Sequence, residues 1–142
     1  MLISIALILT CTQAIYAKDL NDLYASDYDL FWKDWDRSKE KAVSCTDYSY
    51  TAEFLTNAIV TLRNAEVTEA NGEVIESLAL KKAECLLAAL IKLEKEDQRK
   101  IIRHFIVAPI FNEPAVIKRA LEKYWNLDKY TQIKELYERT AN

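Results

Sequence analysis

SDYDLFWKDWDRS, Ser26 to Ser38, sets two Asp-x-Asp pairs among large aromatic side chains, and how it is read decides what kind of chain this is. As an irregular segment it suggests a metal site or a paired acid and base. As a helix it means something else. With Tyr28 at zero and about 100° per residue, Trp35 falls near 340°, Trp32 near 40°, Phe31 near 300°, and Tyr24 and Ala42 near 320°. The aromatics then share one face. Asp29 and Asp36 lie near 100° and 80° and Asp27 and Asp34 near 260° and 240°, so the two carboxylate pairs flank that face on opposite sides, about 10 Å apart along the axis within each pair. They do not converge on one ion. The stretch therefore reads as an amphipathic helix whose rings enter a core. Trp32, at the margin of the face, is the ring expected to stay accessible to a partner.

The rest of the sequence agrees with a helical reading. The chain has one glycine, Gly72, and two prolines in 142 residues. Hairpins, sandwiches and phosphate-cradling loops all consume glycine, so an all-α, single compact bundle of five to six helices is expected. The spacing predicts helices from Asn21 or Ser26 to Ser44 with Ser26 as cap, over Tyr50–Glu69, over Glu73–Leu93, over Asp97–Val107, from Asn112 through Tyr124, and a last one after Asp128. Asn71-Gly72 reads as the strongest break, and Asn112-Glu113-Pro114 as a helix start.

Residues 1–17, MLISIALILTCTQAIYA, carry no charged side chain, and their apolar run is far shorter than the roughly 20 residues a bilayer needs. They read as a signal peptide for export to the periplasm or beyond, with an N-terminal hydrophobic anchor as the alternative. Residues 18–142 are then a single helical domain. Removal of the leader takes Cys11 with it and leaves Cys45 and Cys85. In an oxidising compartment this pair implies one disulfide, and two free thiols are the alternative.

Several function classes are excluded by composition. A single glycine permits no P-loop, dinucleotide fingerprint or nucleophile elbow. His104 is the only histidine, so no zinc spacing exists around it, and no metal, cofactor or catalytic set is expected. The net charge of −3, with both signs interspersed, offers no basic stripe for nucleic acid, and no later apolar run approaches a membrane span. An enzyme using paired carboxylates such as Asp34 and Glu73 has no positive signal. The acids Glu66, Glu69, Glu73 and Glu76 surround Asn71-Gly72 and are read as an acidic protrusion, a candidate partner-binding surface. Without a partner, the same residues would be an ordinary solvated loop.

The segments ECLLAALIKL, DQRKIIRHFIVAP and NEPAVIKRALEKYW, within residues 84 to 125, resemble small helical periplasmic immunity proteins that protect bacteria against peptidoglycan-cleaving amidase effectors of type VI secretion systems. The resemblance implies a non-enzymatic inhibitor, often a homodimer, that inserts a surface loop into the active-site cleft of a cell-wall amidase. By position, the Glu66–Glu76 turn and the Val107–Glu113 connection, with Phe111 and Asn112, are the loops expected to do so. A secreted helical carrier of a small apolar ligand, lined by Tyr, Trp and Phe, is the competing expectation.

Overall fold

The structure is a computed structural model and describes residues 20–142. The leader expected at 1–17 lies outside the described residues. Those residues form eight α-helical segments and no strand, rather than five or six helices. Residues 20–26 form α1, Tyr28–Ser44 α2, Tyr48–Val60 α3, Ala65–Lys81 α4 and Ala83–Leu90 α5. Lys95–Ile101 is α6, which widens into a π-helical turn, Ile102–Val107. Pro114–Trp125 is α7, and a 3-10 turn at Asp128–Tyr130 leads into α8, Thr131–Ala141.

The extra helices come from breaks that local propensity hides. Asp27, not Ser26, caps α2: its carboxylate accepts the Leu30 N–H at 3.0 Å, while the Ser26 hydroxyl turns back to the Asp22 carbonyl. The helix expected over Tyr50–Glu69 is cut at Thr61–Asn64, where the Asn64 N–H returns to the Thr61 carbonyl and the Asn64 side chain caps Val67 N–H at 3.2 Å. Conversely, Asn71-Gly72 does not break anything and lies in the middle of α4. The chain leaves the helix instead at Lys82 (φ −142°, ψ 50°), whose ammonium reaches the Val43 carbonyl at the end of α2. Asn112 is not the cap of α7 either; Glu113 holds that place and Pro114 opens the first turn, where a missing N–H leaves no bond unmade.

Helix α5 is short and apolar around its whole circumference, with seven of its eight residues buried, and it packs against α3, α4 and α7. Around it one core runs from Ala42 of α2 to Tyr137 of α8, including Phe54, Ile75, Phe105 and Trp125. Cys45 ends α2 in the left-handed region, φ 56°, and is bonded to Cys85 of α5 with Cα atoms 6.0 Å apart. This bond fixes the aromatic helix to the centre of the bundle. The buried Thr51 hydroxyl closes the same corner by donating to the Ala42 carbonyl at 2.8 Å.

Candidate functional site: an anchored apolar loop

Glu76 is 1% exposed, in the middle of α4, and its carboxylate forms no ion pair among the described residues. Its partners are amides. Oε1 accepts from Ile110 N at 2.5 Å, Phe111 N stands at 3.2 and 3.1 Å from the two oxygens, and Oε2 accepts from Asn112 N at 2.9 Å and Asn112 Nδ2 at 2.8 Å. Three successive backbone N–H groups thus converge on one carboxylate, a concavity of the kind that binds anions, here filled from within the protein. The connection between the π-helical turn and α7 is held in one shape by this charge.

Gly72, one turn before Glu76 on α4, lets the loop come close. A Cβ at position 72 would stand 2.7 Å from Ile110 Cδ1, so only a bare Cα leaves the isoleucine room to lie across the helix. The other side of Ile110 remains in solvent, at 41% exposure, and Phe111 beside it is 55% exposed. An unusually well-anchored backbone therefore presents two large apolar side chains to water. Val116, in the first turns of α7, is also exposed.

The sequence-predicted residues divide between places. Glu76, Phe111 and Asn112 come together at this loop. Glu69 and Glu73 stand exposed on α4, with no protruding turn to carry them, because the whole segment from Glu66 to Glu76 is helix. Asn71 is buried and part of another network: Trp35 Nε1 donates to its Oδ1 at 2.8 Å, and its Nδ2 donates to Thr61 Oγ1 at 3.1 Å. Glu66 accepts the hydroxyls of both Tyr24 and Tyr28. The Tyr24 and Tyr28 hydroxyls, by stabilising its anion, hold the Glu66 carboxyl below its usual range, and the carboxylate raises both phenols.

Trp32 is half-buried in a run of edge-to-face rings that passes from Tyr24 and Tyr28 through Phe31 and Trp32 to Trp35, which meets Phe54 at a tilt. Its indole N–H is buried without a hydrogen bond among the described residues. The aromatics of the opening stretch are thus shared between core and surface. His104 is exposed on the π-helical turn, and no group of three or more His, Cys, Asp or Glu side chains stands in metal-binding arrangement among the described residues.

A second concavity lies among α1, α2, α3 and α4. It encloses about 410 Å³ between Leu23, Phe31, Trp35, Phe54 and Val67, with Asn71 and Thr61 at its buried end. The sequence suggested an aromatic-lined cup but not its place among these helices, and the role of Glu76 was not apparent from it. Glu76 did leave one trace, as an acid lying between Ile75 and Leu78 in an otherwise apolar stripe. Comparison with protein-family models, with curated proteins and with solved structures finds no match. Among the described residues, no helix is long and apolar enough to cross a membrane.

Proposed function

We propose that this chain is an exported, non-enzymatic protein-binding module that inhibits a peptidoglycan amidase effector by placing the 108–113 loop in its active-site cleft. The observation that carries the reading is the Glu76 anchor beneath exposed Ile110 and Phe111. A loop already fixed before encounter loses little conformational freedom on binding, and an aromatic side chain at its tip is the type that dominates interface energetics. The exposed acids of α4 add negative charge on the helix beneath, which favours a cationic cleft rim and faster encounter. Export and the dimer belong to the same reading and rest on the N-terminal sequence and on the resemblance.

The test is inhibition of peptidoglycan cleavage by a panel of periplasmic amidase effectors. At least one effector should be inhibited, and Phe111→Ala should weaken inhibition by 10-fold or more, roughly what about 1.4 kcal/mol or more of a hot-spot contact corresponds to. If no effector is bound, or if Phe111→Ala and Ile110→Ala inhibit as well as the parent chain, the reading is wrong.

The cavity among α1–α4 favours a second reading, a carrier of a small ligand with an apolar body. Native mass spectrometry of protein purified from an exporting host should then show a retained small molecule, and its absence counts against this reading alone.

A further inference from the structure

From the charge around the α1–α4 cavity we infer that its ligand is a small organic cation, an ammonium group attached to an aromatic or branched apolar body. The inference deepens the carrier reading and is independent of the 108–113 loop.

Three rings, Phe31, Trp35 and Phe54, with Leu20, Leu23 and Val67 form the apolar part of the walls, and about 410 Å³ is within the range of small-molecule sites. The buried end is neutral and already satisfied internally. Trp35 donates to Asn71, Asn71 to Thr61, and the Thr61 hydroxyl to the Asn57 carbonyl at 2.9 Å, so these groups demand no charged partner. Charge enters only toward solvent. Asp22 is exposed and Asp34 partly so, both line the cavity with Ser26 and Ser38, and no Lys, Arg or His is among the described lining residues. Of the two carboxylates an anion would meet there, Asp34 is paired at the surface with Arg37, and Asp22 has no ion-pair partner among the described residues.

An apolar ammonium finds complementary features at both ends: rings for its body and, at the mouth, carboxylates within reach of its charge. The Trp35 ring already accepts a cation, since Lys39 Nζ lies 4.9 Å from its centroid. Arg37 stands at 3.2 Å from Asp34 Oδ1, but the pair lies at the surface, where such an ion pair contributes little and competes only weakly with another cation.

Calorimetric titration of the purified protein with 4-phenylbutylamine, 4-phenylbutanol and 4-phenylbutyrate tests this, because the three share one body and differ in charge. The amine should bind about 10-fold or more tightly than the alcohol, and the carboxylate least. Raising the salt from low to high concentration should reduce that preference, because the carboxylates at the mouth are open to screening. Asp34→Asn and Asp22→Asn should each narrow the gap between amine and alcohol while leaving alcohol binding unchanged, an outcome that a misfolded variant would not give. Equal binding of all three overturns the charge inference and leaves a neutral carrier; binding of none overturns the inference and the carrier reading together. Preference for the carboxylate also overturns the inference. No outcome bears on amidase inhibition.

Discussion

At Glu76 a single carboxylate determines the shape of a surface loop. Glu76→Gln keeps one acceptor oxygen but turns the other into a donor facing N–H groups, and loses the charge. The expected cost is about 1.5–3 kcal/mol, in line with hydrogen bonds to charged groups. The denaturant midpoint should fall, and amide exchange at Ile110, Phe111 and Asn112 should accelerate beyond the rest of the chain. Uniform acceleration over all amides would mean that Glu76 supports the core rather than the loop. Gly72→Ala sets two effects against each other. Alanine in mid-helix gains up to about 1 kcal/mol over glycine, but its Cβ meets Ile110 Cδ1, the far end of a flexible side chain. Global stability should therefore change by less than about 1 kcal/mol, while the resonances of Ile110 and Phe111 shift markedly.

Between elements, two fastenings hold α2. At its C-terminal end the Cys45–Cys85 bond closes a 40-residue separation, and its loss, by reduction or by a Cys85→Ala substitution, should lower stability by about 2–4 kcal/mol without converting helix to another structure. Circular dichroism at equal denaturant, with and without reductant, checks this. At its N-terminal end Tyr28, together with Tyr24 of α1, binds Glu66 of α4, and the linkage has a definite sign. The carboxyl's pKa is lowered from 4.5, so its contribution is present above that value and is lost as pH falls through the folded pKa. The phenols are raised from 10.0, so theirs is present below that value and lost as pH rises through the folded pKa. The stability difference between the parent chain and Glu66→Gln should be greatest between these limits and shrink at pH 3 and at pH 11. A difference independent of pH would show that the two phenols and Glu66 are not coupled.

For the molecule as a whole, the class of fold was legible because scarcity is a global property: with a single glycine, neither turns nor phosphate loops have their material. The Cys45–Cys85 pairing was legible by count, since residues 18–142 contain only these two cysteines. Element boundaries were not. Asn64 and Asn71 are the same residue type; one caps a helix and the other lies buried within one, and what separates them is Trp35 and Thr61, distant in sequence. Gly72 was read as a break because its local propensity disfavours helix, and the competing term, the approach of Ile110 some 38 positions away, exists only once the bundle has closed. Acids announce solvent, so Glu76 was placed on the surface together with Glu69 and Glu73. Its burial depends on three amides in another part of the chain.

The Glu76 anchor grips the loop by atoms that nineteen of the twenty amino acids possess. Its contacts at Ile110 and Phe111 are to main-chain N–H groups, and only Asn112 adds a side chain. Position 111 is therefore free to vary without altering the curve of the backbone, position 110 varies within what Gly72 accommodates, and proline is the residue barred from both. Such a loop separates shape from lettering, so a lineage can rewrite what the tip recognises, one substitution at a time, on an unchanged mount.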